Sequence, residues 1–314
     1  LPFYIMAFKF KLGFATDIHG SEYAFKRILN IAKSRNVGYL ILSGGLTSKD
    51  IIFVEEVSGM YFVNGKKVNL KNLIEDSLKS GKYLIINSRE VIENLKKDKN
   101  ALEKALSEII TEQFSKWVKI AEENFGLDKI FWSPAHGDIP QLDYILKKLN
   151  ANVINENVVN LGEVQIASLG FASPIGNNYR EISDSELYIK GKSLLKDAER
   201  ESLICNFHMP PLNTKIDVIR SGFRKSHIGS KAVLDLINEF QPFVSLHGHV
   251  HESAGIEKIG NTIAINPGSL YQLGEPSVAV FEVHKELKGL RELSVTAYVI
   301  KNLELVSTNP LDVI

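Results

Sequence analysis

A single α/β domain spanning residues 1–314 is the fold this sequence predicts, and three observations predict it. Residues 8–16 form a short β-rich run, and residues 21–36 carry Ala24, Ile28, Ile31 and Ala32 at helical spacing. Residues 37–43 are then a second, continuously apolar strand. This order describes a βαβ unit, and strands that are apolar throughout belong in a sheet covered on both faces. With 44% apolar residues, a chain of this length can bury a substantial core.

The elements follow in order. The first strand ends in Asp17-Ile18-His19-Gly20 and the second in Ser43-Gly44-Gly45, where ligands of such sheets sit, beyond the carboxyl ends of the strands. Residues 49–128 then read as an insertion between core elements. Within it, strands at 60–63 and 67–70 flank Asn64-Gly65, a dipeptide that accepts the positive φ angles of a tight hairpin turn. Residues 83–86 add a strand, and residues 90–124 read as one or two long amphipathic helices. The insertion holds no histidine, so it reads as an accessory cap or contact surface. Core strands resume at 129–132, 153–154, 163–169, 202–207, 243–246, 262–265, 278–283 and 294–300, with helices at 140–149, 184–197 and 230–240. No internal repeat appears.

Composition excludes several classes. Lysine plus arginine and aspartate plus glutamate number 37 each, which argues against a broad nucleic-acid or membrane-binding face. The single cysteine, Cys205, cannot form an internal disulfide and reads as a small buried residue. No apolar run approaches the ~18 residues of a membrane span, and no signal-peptide pattern opens the chain, so a cytoplasmic location is expected. Leu1 to Ile5 precede Met6, an initiator candidate, and read as an upstream extension.

The densest chemistry lies in His247-Gly248-His249-Val250-His251, which carries three of the eight histidines directly after an apolar strand. Alternate side chains of an extended segment share a side, and imidazole is the commonest ligand for divalent transition metals. Four other motifs stand at strand ends: Asp17-Ile18-His19, Ser43-Gly44-Gly45, Pro134-Ala135-His136-Gly137-Asp138, and Asn206-Phe207-His208-Met209-Pro210-Pro211. Their order and spacing resemble those of the calcineurin-like metallophosphoesterases, whose pattern runs D-x-H, G-D, G-N-H-D or G-N-D-D, a lone H, and G-H-x-H. The resemblance spans nearly the full chain. His227-Ile228-Gly229-Ser230, His251-Glu252-Ser253 and Asn266-Pro267-Gly268-Ser269 resemble an archaeal branch of that family.

The resemblance implies a four-layer α/β/β/α sandwich and a phosphate-ester substrate, hydrolysed by metal-bound water or hydroxide. It implies one or two divalent transition metals per chain, Mn, Fe, Ni, Co or Zn. Asp17, His19 and His251 would hold one metal, and His208 and His249 would help hold the second. His247 has no ligand role and reads as a packing or outer-shell residue. Asn266 and Ser269 read as a structural turn near the site, and His227 as a solvated loop histidine.

Two departures stand at ligand positions. The family's G-D reads Gly44-Gly45, so the carboxylate that bridges both metals is missing. Two nearby dications repel and need shared negative charge, so Gly45→Asp is expected to raise metal occupancy toward two per chain. The family's G-N-x-D reads Ala135-His136-Gly137-Asp138, which leaves His136 and Asp138 as the candidate catalytic residues and glycine at the position that assists the leaving group. His136 either completes a second metal set with His208 and His249 or fills space in a decayed site. Two functions therefore stand: a metal-dependent phosphoesterase with an atypical centre, and a binding or scaffold protein that keeps the fold without turnover. Substrate-facing walls are expected from the insertion, from the loop Ser173-Pro174-Ile175-Gly176 and from residues 209–226.

Overall fold

The computed structural model describes residues 9–48, 50–174, 178–222, 224–288 and 295–307. The expectations for Leu1 to Met6, Lys49, Ile175-Gly176, Phe223 and Ser294 lie outside them. The chain runs through β1 (Lys9–Thr16), α1 (Glu22–Ser34) and β2 (Tyr39–Ser43). It continues through β3 (Asp50–Val57), β4 (Met60–Val63), β5 (Lys66–Val68), α2 (Leu70–Ser80), β6 (Lys82–Asn87), α3 (Arg89–Lys97) and α4 (Lys99–Asn124). Next come β7 (Ile130–Ser133), α5 (Leu142–Lys148), β8 (Asn152–Val153), β9 (Asn157–Leu161), β10 (Val164–Leu169) and α6 (Asp184–Leu195). Then follow β11 (Leu203–Phe207), β12 (Val218–Ser221), β13 (Arg224–His227), α7 (Lys231–Phe240) and β14 (Val244–Leu246). The last strands are β15 (Gly255–Ile259), β16 (Thr262–Asn266), β17 (Ser269–Leu270), β18 (Glu275–Lys288) and β19 (Val295–Ser307).

Two large sheets face each other. One runs β17-β18-β1-β2-β7-β8 with β19 on β18; the other runs β15-β16-β14-β11-β10-β9. The strands that carry motifs are parallel within each sheet, β1 to β2 to β7 in one and β11 to β14 in the other, so their carboxyl ends open at one edge. The period-2 alternation of strands sorts side chains into three cores. Leu12, Phe14, Ile41, Phe131 and Phe281 of the first sheet meet Ile166, Ile204, Val244 and Leu246 of the second. The opposite face of the first sheet, Leu40, Leu42, Ile130 and Trp132, packs under α1, α4 and α5. The opposite face of the second, Ala167, Leu169, Cys205 and Phe207, packs under α6 and α7. Three cores separate four layers, the expected α/β/β/α order.

The inserted segment holds the expected hairpin, and its helical stretch breaks into α3 and α4 at Asp98, which caps α4 by accepting from Asn100 and Ala101. It also holds β3 and α2, which the sequence pattern missed, so that a four-stranded sheet β5-β4-β3-β6 stands beside the core. Helix α4 is part of the core. Its Ile110, Phe114, Trp117, Val118 and Ala121 recur at helical spacing and are buried, and Trp117 stacks on Phe25 of α1 with ring centres 4.4 Å apart. Lys116 of α4 and Lys26 of α1 both reach Glu22 at 2.7 Å. Burial raises the Glu22 carboxyl, and the two ammonium groups outweigh it and hold the group below its ordinary range.

Candidate metal centre

The parallel strand ends of both sheets meet over a buried polar floor. Ser43 at the end of β2 donates to Asn206 of β11 at 2.9 Å, Asn206 donates to Ser168 of β10 at 2.8 Å, and Ser168 meets Ser133 of β7 at 2.6 Å. Above this floor the backbone turns sharply. Asp17, His19 and His249 sit at φ of 54°, 46° and 65°, and Gly44 and Gly45 at 56° and 40°. Left-handed geometry is unfavourable for side-chain-bearing residues, by roughly 1 kcal/mol or more each, and it clusters where function needs it. Here it is held by cross-loop bonds, with Asp17 N–H donating to Ser43 and Gly44 carbonyls and His19 N–H to the Gly45 carbonyl.

Six of the residues singled out by sequence converge in two groups, Asp17 with His19 and His251, and His136 with His208 and His249. In the first group His19 Nε2 lies 3.2 Å from His251 Nε2 and 3.4 Å from Asp17 Oδ1, and His251 Nε2 lies 3.3 Å from Asp17 Oδ1. Three donors bound at ~2.1 Å in a tetrahedral arrangement stand about 3.4 Å from one another, so this triangle fits one transition-metal ion. The tautomer agrees. His19 Nδ1 faces the Thr47 carbonyl at 3.3 Å, which can only accept, so Nδ1 carries the proton and Nε2 keeps its lone pair. Burial pushes the Asp17 carboxyl up, but His251, His208 and His19 around it hold it well below the usual carboxylate range. It is an anion ready to coordinate.

The second group is looser, its donor atoms all within 4.8 Å of one another. The His136 and His208 rings each meet His249 edge-on, at 5.0 and 5.3 Å between centres. His136 is buried, and its Nε2 lies 3.0 Å from Glu181 Oε1, a carboxylate that is itself buried. Nε2–H therefore donates to Glu181, which leaves Nδ1 as the nitrogen able to coordinate. Glu181 was not foreseen. It follows the loop after β10 in a stretch without any motif spacing, and only the fold brings it to His136. Outer partners of this kind fix ring orientation and raise ligand basicity, and their loss typically costs 10–100-fold in metal affinity. Glu181→Gln is accordingly expected to weaken one metal-binding step about 10-fold or more, read by calorimetric titration, while leaving the first group's affinity unchanged.

The remaining expected residues take other places. Asp138 belongs to neither group: its Oδ1 accepts from Thr47 N–H and Oγ–H at 2.7 and 2.8 Å, and its Oδ2 from Ala135 N–H at 2.9 Å. Burial pushes this carboxyl up despite those donors. With both oxygens engaged it positions Thr47, whose carbonyl faces His19 Nδ1. His247 is fully buried and donates from Nδ1 toward the Phe207 and Met209 carbonyls, each 2.9 Å away, clamping the two neighbours of His208. Burial lowers its pKa to about 4, so it stays neutral. His227, at the end of the exposed strand β13, pairs with the buried Asp217 at 2.6 Å. Asn266 bonds the Val250 carbonyl at 3.0 Å, and Ser269 Oγ donates to the Asp17 carbonyl at 2.7 Å, so their turn locks both ends of the first group. Tyr271, also unforeseen, lays its ring 4.5 Å from that of His19 and 5.7 Å from that of His251.

The departure at Gly45 has a steric meaning, and the neighbouring Gly44 shares it. A Cβ on Gly45 would stand 2.3 Å from His19 Cε1 and 2.9 Å from Asp17 Oδ1, and one on Gly44 would stand 2.1 Å from His208 Nδ1. The donors occupy the space that side chains there would need. An aspartate at position 45 would therefore have to displace His19 or Asp17 before it could serve as a ligand.

Residues 182–288 match the family described as metallophosphoesterase, calcineurin superfamily. An uncharacterized protein of Methanocaldococcus jannaschii, MJ1162, is 28% identical over 160 residues, which cover 49% of this chain and 72% of that protein. Among solved structures, one crystal structure superposes with a TM-score of 0.57 at 16% identity, covering 93% of this chain and 98% of its own. The protein TT1561 of Thermus thermophilus superposes at 0.52 with 14% identity, covering 86% and 94%. These two likenesses extend the shared fold over both sheets, and the family match covers β11, β14 and the histidines that follow them. Over residues 182–288 the chain is thus similar to the calcineurin superfamily of metallophosphoesterases, and over most of its length it shares the fold of the two solved structures.

Proposed function

We propose that the chain is a metal-dependent phosphoesterase that hydrolyses a phosphodiester or phosphomonoester at the two groups of donors. The observation that carries this reading is the pair of three-donor groups side by side on one rim, one of them spaced for a transition-metal ion. A divalent transition metal supplies phosphate charge neutralisation and acidifies a water when bound. The protein's part is to hold the donors. Asp17, His19 and His251 serve one position and His136, His208 and His249 the other, with Glu181 and the Asp138–Thr47 link orienting His136 and His19. A cavity of about 410 Å³ borders the centre at Thr47 and Gly137 and is walled on its far side by Ile51, Tyr83, Leu106 and Ile110 of the inserted segment. We assign the organic part of the ester to it, which gives the insertion a role in substrate choice. Among the described residues no helix is long and apolar enough to cross a membrane, and the buried Cys205 fits our reading of a cytoplasmic protein.

The test is hydrolysis of bis(p-nitrophenyl) phosphate and p-nitrophenyl phosphate after loading with Mn²⁺, Zn²⁺, Co²⁺, Ni²⁺ or Fe²⁺. Metal-stimulated turnover is expected, and His208→Ala and His249→Ala are each expected to lower kcat/KM by about 10³-fold, some 4 kcal/mol of transition-state stabilisation. A second reading, binding without turnover, is favoured by Gly137, which puts no side chain where the family assists its leaving group. Tightly bound metal with no hydrolysis of either ester would decide for it.

A further inference from the structure

We infer that Asp17, through the single oxygen Oδ1, is the donor shared by both metal positions, doing the work that no side chain at position 45 can do. The inference rests on the two-group reading of the centre and concerns how this chain, without the family's bridging carboxylate, would hold two cations together.

Four observations carry it. Oδ1 is 3.3 and 3.4 Å from the two donors of its own group, and it is also 4.0 Å from His208 Nε2 of the other. Two donors bound to one ion at ~2.1 Å cannot be more than about 4.2 Å apart, and the separation of Oδ1 and His208 Nε2 lies inside that limit. The carboxylate cannot turn to present its other oxygen. Oδ2 accepts from Thr16 Oγ–H at 2.8 Å and from the backbone N–H of His249 at 2.9 Å, so a residue of the second group itself fixes the orientation of Asp17.

The glycines supply the third observation. The Cβ direction at Gly45 runs to within 2.9 Å of Oδ1, so Asp17 already fills the sector from which a residue at 45 would reach between the groups. Charge supplies the fourth. Among the described residues Asp17 is the sole carboxylate in either group, and the other five donors are imidazoles. Two dications a few ångströms apart repel strongly, and Asp17 Oδ1 is the carboxylate oxygen that faces donors of both groups and is placed to screen that repulsion.

The experiment counts metal. Wild type, Asp17→Asn, His251→Ala and His136→Ala are titrated with Mn²⁺, bound metal per chain is measured by elemental analysis after gel filtration, and electron paramagnetic resonance reads coupling between Mn²⁺ ions. Wild type is expected to take up two ions with a coupled spectrum, His251→Ala and His136→Ala to lose one each, and Asp17→Asn to weaken both ions 10-fold or more. Retention of one ion at wild-type affinity by Asp17→Asn would overturn the inference, as would a wild type that saturates at one ion. If Asp17→Asn does not fold, as judged by circular dichroism, Thr16→Val serves instead. It frees Oδ2 from one donor and is expected to weaken both ions, and an effect confined to one ion would count against the inference. None of these readouts needs turnover, so a protein that binds two coupled ions yet hydrolyses nothing would refute the proposed activity and leave the shared donor standing.

Discussion

Gly45→Asp is expected to weaken metal binding by about 100-fold, the opposite of what the sequence pattern alone predicts. The reason is local. A Cβ at position 45 would meet His19 Cε1 at 2.3 Å, and His19 has nowhere to go: Nδ1 is held at Thr47, and Tyr271 and His251 flank the ring. The φ of 40° at position 45 adds strain for any residue with a side chain. Calorimetric titration with Mn²⁺ against the wild type checks the result, and a rise in occupancy would show that the loop can open and accept a carboxylate after all.

The second large effect concerns the insertion. Trp117→Ala is expected to destabilise the fold by about 3–5 kcal/mol, the usual cost of emptying a fully buried large aromatic position. Trp117 is 0% exposed, stacks on Phe25, and lies against Phe114 at 5.2 Å between ring centres, so its loss opens a cavity between α1 and α4. Chemical unfolding of the variant measures it. A loss below ~1 kcal/mol would mean that α4 is the detachable cap its sequence suggests. The same packing implies that excising the whole inserted segment strips one face of the first sheet.

Much of this was legible in the sequence because the relevant signals are local. Continuous apolar strands such as β2 and β11 announce a covered sheet, and the histidines and Asp17 follow directly on strand ends. What was not legible depends on partners distant in the chain. Helix α2 is the exception, since Leu70, Leu73, Ile74 and Leu78 stand at helical spacing and could have been read, whereas β12 and β13 form a hairpin whose second strand, Arg224–His227, is exposed along its length. In the centre, Glu181 and Tyr271 lie in no recognisable spacing and become visible only where the fold sets them against His136 and His19. The steric meaning of Gly45 was hidden for the same reason. A missing ligand can be read from sequence, but the neighbours that have closed over its place cannot.

Each donor group draws on both sheets: Asp17 and His19 leave β1 while His251 follows β14, and His136 leaves β7 while His208 follows β11. His19 and His251 are 232 positions apart in sequence. Contacts of such long range form late, after the loops between them have been closed against their entropy. A nascent or half-folded chain therefore has no complete group to offer, and metal uptake becomes a report on finished folding. Once bound, an ion present at about 1,000 times its dissociation constant would add about 4 kcal/mol against the separation of the sheets.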